Sequence, residues 1–472
     1  MKYKIVIFSM FFTFCFGLEA KIIVASLLTD NMVLQRNSEV KLWGKADPNQ
    51  KLNITIGWNK EKTSTTANEK GEWLVKVKTT EAGGPFSINI KSGKEKVSLK
   101  NILLGEVWLC SGQSNMQMPV EGWGDGMLLN GSNELIFNAD NNNIRLFNIK
   151  RISVSTPQEN CVGNWTVASS ETVAPFSAVA YLYAKKLQEK LHVPIGIICA
   201  SWGASTIEAW MDKETIAQFP DALTRSTREK IPAQQKASGL YNGMIAPIIN
   251  YTIKGVIWYQ GESNKDYYKD YAAEQASMVA SWRKAFGIGN FPFYYVQIAP
   301  FAYGNSKAIT SALFRDEQLK AMALIPNSGM VSTFDIGEEK CIHPAEKVTV
   351  ANRLAYWAIS ETYGCKGLTY KTPTFKNVIF KGSDAILKFD NAPNGFTTFG
   401  KEVQCFELAG SDSIFHPAIL TLTQTEVKIS SPDVKNPLAV RYGFCNFPKT
   451  KGYLYNTAGL PVPSFRTDNW IK

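Results

Sequence analysis

A serine hydroxyl attacks an ester only when a base takes its proton, and this 472-residue chain has just three histidines, at 192, 343 and 416. The serine placed to do such chemistry is Ser114. It lies in the stretch Trp108 to Met118 (WLCSGQSNMQM), where the apolar, β-prone run Val107 to Cys110 leads to Gly112, which permits a sharp exit, and then to a helix starting near Asn115. A hydroxyl at the carboxyl end of a central strand faces the crevice where open α/β sheets bind ligands, and a helix start aims free N–H groups at it. His192 closes a helical stretch just before the strand-like run Pro194 to Ala200, which puts it at the opposite, amino edge of the sheet. His416 falls in a β-rich C-terminal stretch. His343 follows the run Met330 to Phe334 and precedes a helical stretch, so it shares a sheet edge with Ser114. At an ordinary pKa near about 6.5 it would be the base when neutral.

Three more polar tips follow strand-like runs. Ser201 to Ser205 (SWGAS) follows Ile195 to Ala200, Trp258 to Asn264 (WYQGESN) follows Gly255 to Ile257, and Ile342 to Lys347 (IHPAEK) follows Val331 to Asp335. Four such tips in this order resemble the SGNH hydrolases, and most closely the sialate O-acetylesterase family, in which GQSN, WGG, QGE and a late His-Pro recur. The resemblance runs over nearly all of the chain beyond residue 20. It implies an acyl-enzyme mechanism with Ser114 as nucleophile and His343 as base. It also implies an oxyanion hole built from the N–H of Ser114, the N–H of Gly203 and the side-chain amide of Gln260. Such donors are often the largest catalytic contribution, each worth about 2.7 to 4 kcal/mol. Glu262 would hold the Gln260 loop or the substrate, and Asn242 in Leu240-Tyr241-Asn242-Gly243 matches a further family motif. The chain departs from the pattern at one point: many relatives carry an aspartate two or three residues before the histidine, where this sequence has Cys341 and Lys340. The orienting group is then Asp335, Glu338, Glu339 or a backbone carbonyl, with Asp335 taken as the third catalytic member.

The elements that must position these residues are legible as a change of rhythm along the chain. Residues 105–365 alternate strands (Pro194 to Ala200, Lys254 to Trp258, Phe293 to Ala299, Met330 to Phe334) with helices (Phe176 to Leu191, Tyr267 to Phe286, Ala312 to Leu324, Ala345 to Tyr363). The expected class is α/β, an SGNH-type three-layer α/β/α hydrolase domain with a mostly parallel sheet. The Gly- and Asn-rich stretch Pro119 to Asn143 should lie over the site. Residues 21–104 alternate apolar and polar positions in short runs separated by turn residues, which predicts a β-sandwich-like domain. Residues 366–472 return to β runs and form a second flanking β-rich region. Residues 1–20 have Lys2 and Lys4 before the apolar run Ile5 to Gly17 and then Leu18-Glu19-Ala20, the pattern of a signal peptide.

With 45% hydrophobic residues the chain can bury a large core, which excludes a disordered or fibrous protein. The formal charge of +10 is spread thinly, without a basic run, and no nucleic-acid partner is expected. Beyond residue 20 seven cysteines remain, without CxxC or HExxH motifs, so neither a metal nor a cofactor is expected. After leader cleavage no segment is long and apolar enough to span a membrane. These observations and the resemblance imply an exported serine esterase, periplasmic or extracellular (lysosomal or secreted in a eukaryote). Its substrate would be an O-acetylated sugar, foremost sialic acid. Acetylxylan or another polysaccharide is an alternative substrate, and a non-catalytic carbohydrate-binding protein is an alternative class. The oligomeric state stays open.

Overall fold

One strand of 18 residues, Glu95–Gly112 (β1), connects the flanking β region to the catalytic sheet. Its first part pairs antiparallel with Gly83–Ser92, while Ile102 to Gly112 is buried throughout. The domain boundary expected between residues 104 and 105 falls inside this continuous strand. The computed structural model describes residues 21–423 and 426–470; the signal peptide expected at residues 1–20 lies outside the described residues.

Along the chain follow the strands Asn141–Asn148 (β2), Trp165–Ala168 (β3), Ile195–Ser201 (β4), Gly255–Tyr259 (β5), Phe293–Val296 (β6) and Ser328–Val331 (β7). Their order in the sheet is β3-β2-β4-β1-β5-β6-β7. The pairs β2–β4, β4–β1, β1–β5, β5–β6 and β6–β7 are parallel, and β3 runs antiparallel to β2. Because β1 also carries the antiparallel strands of the N-terminal region, the whole 11-stranded sheet is mixed. Among the seven strands of the catalytic segment five of the six pairings are parallel, and the mixed character of the whole sheet comes from β3 and from the N-terminal strands.

Strand periodicity explains why this sheet is covered on both faces. Val107 and Leu109 face one core, which they share with Met278 and Trp282 of helix Tyr271–Phe286 and Phe314 of helix Thr310–Leu324. Trp108 and Cys110, pointing the other way, join Tyr183 of helix Ala178–Leu191 and Leu354 of helix Lys347–Trp357. Ser177 caps the first turn of Ala178–Leu191, and His192 ends that helix in the left-handed conformation (φ 55°), at the edge remote from Ser114. The C-terminal part forms a separate seven-stranded sheet around Leu387, Phe406 and Tyr442. His416 belongs to its strand Phe415–Leu422, so neither His192 nor His416 reaches the serine edge. All seven described cysteines are free thiols.

Candidate active site

The turn after β1 is forced by Gly112. Its φ of 139° lies where side chains are disfavoured, and an added β-carbon would stand 2.1 Å from the carbonyl oxygen of Tyr259. That closeness lets Gln113 donate its N–H to the same oxygen at 2.9 Å, and Trp202 donates to the Gly112 carbonyl at 3.1 Å. Oε1 of Gln113 accepts from the N–H groups of Gly261 (3.1 Å) and Ser263 (3.4 Å). Three polar tips are thus stitched together by backbone bonds around the serine. Ser114 opens the short helix Ser114–Gln117 and is half-buried. The hydroxyl of Ser177 donates to the Met116 carbonyl at 2.6 Å and pins that turn.

Gly203 comes right against Ser114: a β-carbon added to it would lie 3.4 Å from Cβ of Ser114. Its N–H donates to Oε1 of Gln117 at 2.6 Å. Gln260 is different from expectation. It is wholly buried, its Nε2 donates to the Ser205 carbonyl (3.1 Å) and to Oδ1 of Asn264 (2.7 Å), and its Oε1 accepts from the Tyr271 hydroxyl (2.7 Å). Both amide hydrogens are committed, so Gln260 buttresses the Ser205 loop and is not a free oxyanion donor. Asn242 sits in the π turn Tyr241–Ile245; its Nδ2 donates to the Val154 carbonyl and its own carbonyl accepts from Gln158. It secures the segment 154–158 and bonds none of the four polar tips.

His343 stands in the loop before helix Lys347–Trp357, with the Trp123 ring edge-on at 5.1 Å. Nδ1 is buried without a partner. Desolvation, reinforced by the positive charge of Lys347, pulls its pKa down to about 4, well below the ordinary value expected from sequence. The three carboxylates considered as its orienting group are all engaged elsewhere. Asp335 receives two bonds from Arg353, Nη1 at 2.8 Å and Nη2 at 2.7 Å. Glu338 accepts the N–H of Ala345 at 2.7 Å, and Glu339 pairs with Lys449 at 3.1 Å. Assigning Asp335 as third catalytic member is therefore corrected: its charge is consumed by the buried Arg353 of the following helix.

Beneath the serine lies a cluster that sequence reasoning captured only through Glu262. Nδ2 of Asn115 donates to Oε1 of Glu262 (2.6 Å) and to the carbonyl of Ile342 (3.1 Å), and Oδ1 of Asn115 accepts from Nζ of Lys347 (2.5 Å). Burial raises the pKa of Glu262 and lowers that of Lys347 to about 8, with each partner's charge opposing the shift of the other. Asn115 and Lys347 stand inside two of the quoted motifs, but only contact reveals their function. Of the tryptophans near the site, Trp210 and Trp258 are buried and pack edge-to-face as core, whereas Trp123 and Trp202 are half-buried.

Residues 104–360, over half the chain, match the family model described as carbohydrate esterase, sialic acid-specific acetylesterase. The fold and this match define the chain as a carboxylic ester hydrolase. Sialate O-acetylesterase of Homo sapiens is 31% identical, covering 74% of this chain and 72% of its own length; that of Mus musculus is 28% identical over 93% of each. The crystal structure of a carbohydrate acetylesterase from Xanthomonas citri superposes with a TM-score of 0.86 at 34% identity, covering 95% of this chain and 99% of its own. The chain belongs to the sialic acid-specific acetylesterase family of carbohydrate esterases.

Proposed function

We propose that Ser114 is the nucleophile and His343 the base of an esterase that removes O-acetyl groups from sugars, foremost sialic acids, through an acyl-enzyme on an SGNH-type α/β/α core. The observation that carries this is the Asn115–Ile342 hydrogen bond, which ties the residue after the serine to the residue before the histidine. His343 takes the Ser114 proton as Oγ attacks the acetyl carbonyl; the tetrahedral oxyanion is received by the N–H groups of Ser114 and Gly203. The protonated imidazole then gives its proton to the leaving sugar oxygen, and water repeats the sequence on the acyl-enzyme. Trp123 and Trp202 present half-buried rings suited to a sugar face. Export through the residue 1–20 leader to a periplasmic or extracellular compartment belongs to the same reading. Among the described residues no helix is long and apolar enough to cross a membrane.

Acetate release from O-acetylated sialic acid and from acetylated xylan, by the wild type and Ser114→Ala, tests the reading. The expected result is preferential release from the sialic acid and a loss of roughly 10³-fold or more in the variant. Retained turnover in Ser114→Ala removes the nucleophile assignment; preferential release from xylan replaces the substrate.

A further inference from the structure

The Ser114 and His343 loops come from opposite ends of the catalytic segment, 229 positions apart in sequence, and among the described residues no carboxylate is hydrogen-bonded to the buried Nδ1 of His343. Some other group must set the separation between them. Asn115 is wholly buried and its amide is saturated: both Nδ2 hydrogens and Oδ1 are used. An asparagine amide in isolation can flip, exchanging oxygen and nitrogen at little cost. Here a cation faces the oxygen and a carboxylate faces the nitrogen, so a flip would set Nδ2 against the ammonium of Lys347 and Oδ1 against Glu262. Both charged groups are themselves buried, which magnifies the penalty of the wrong orientation. The orientation that results is the one in which Asn115 can donate to Ile342.

We propose that Asn115 is a positioning residue: its amide, locked in one orientation by Lys347 and Glu262, sets the distance and angle between Ser114 and the loop bearing His343. This rests on the reading of Ser114 and His343 as nucleophile and base. Lys347 contributes a second constraint, because it starts the helix that follows His343 and so fixes both ends of that short loop to one amide. Glu262 brings in the third loop. The charged and titratable groups facing the cluster are His343, Glu338 and Cys341 from the His343 loop, Tyr259 from the end of β5, whose ring lies 5.6 Å from Nζ of Lys347, and Tyr303.

The experiment compares Asn115→Leu, Asn115→Asp, and Asn115→Asp combined with Glu262→Gln, on a simple acetyl ester, with Ser114→Ala alongside. A misplacement of about 1 Å costs on the order of a hundredfold, so Asn115→Leu should lower kcat by about that factor while KM changes by less than about threefold. Asn115→Asp sets a carboxylate against Glu262 and the Ile342 carbonyl; kcat should be low at neutral pH and rise as acid supplies a proton to the pair. Adding Glu262→Gln supplies an amide hydrogen to the aspartate and removes the like-charge repulsion, while the Ile342 carbonyl still lacks its donor, so recovery at neutral pH should be partial, about tenfold. Those reversals are not expected of a residue that only packs. Wild-type kcat in folded Asn115→Leu overturns the proposal. If that variant does not fold, equal kcat for Asn115→Asp with and without Glu262→Gln overturns it. Should Ser114→Ala itself remain active, the nucleophile reading fails instead, and the two failures are distinct.

Discussion

The backbone N–H of Gly203 donates to the side-chain oxygen of Gln117 across 2.6 Å, beside Ser114. An sp² oxygen of the protein thus occupies the Gly203 donor of the proposed oxyanion hole. Substrate must displace it, and the cost falls on binding. Gln117→Ala should lower KM for a small acetyl ester several-fold and leave kcat within about twofold, since the N–H is then free before the substrate arrives. Gln117→Glu should raise KM, because a charge-assisted bond to Gly203 is stronger than a neutral one, and lowering the pH through the carboxylate's titration should relieve the effect. Steady-state kinetics over pH check both; unchanged KM in both variants would show that Gln117 does not compete.

In the proposed mechanism His343 must be neutral to accept the Ser114 proton, and its pKa is held at about 4 by burial and by Lys347. The acid limb of kcat/KM should therefore lie near pH 4, with activity maintained through about pH 5 to 7, where an ordinary histidine would already be titrating near about 6.5. The sign for stability follows from the same shift. An unfolded chain binds a proton at this histidine below about pH 6.5 while the folded protein does not until about pH 4, so folding free energy is lost as pH falls across that window. A limb midpoint near 6.5 with chemistry rate-limiting would contradict this environment for His343.

Asp335 and Arg353 form a two-bond ion pair in which both side chains are under 10% exposed (8% and 7%). Asp335→Asn leaves Arg353 with an uncompensated charge, and stability should drop by about 3 kcal/mol, the scale for breaking a buried pair. Because the pair does not touch His343, kcat should stay within a few-fold of wild type, whereas a triad aspartate would cost about 10⁴. Denaturant unfolding and turnover of the same variant separate the two. A collapse of kcat with unchanged stability would return Asp335 to the catalytic group.

Much of the catalytic layout is a property of the local sequence. The run of apolar residues ending at Gly112, and the similar runs before Trp202, Gln260 and His343, specify strand followed by turn because their side-chain pattern suits a sheet buried on both faces. Parallel strands joined by helices put all their carboxyl ends at one edge, so the four polar tips meet there whatever the details of packing. The position of His192 at the far edge follows from the same rule. What the linear chain does not encode is which donor faces which acceptor. Gln260 and Asp335 have the right chemistry at the right edge, yet Tyr271 and Arg353 from the following helices, and Asn264 four residues from Gln260, consume their hydrogen-bonding capacity. Asn115 and Gln117 carry no distinguishing signal until Lys347, Ile342 and Gly203 are brought against them. Similarly, the break in periodicity near residue 104 marks a change in what covers the strand, while the backbone hydrogen bonds run through it without interruption. Periodicity and topology act through the backbone and are written in short stretches; the partner of a buried polar side chain is decided by neighbours that only the tertiary fold supplies.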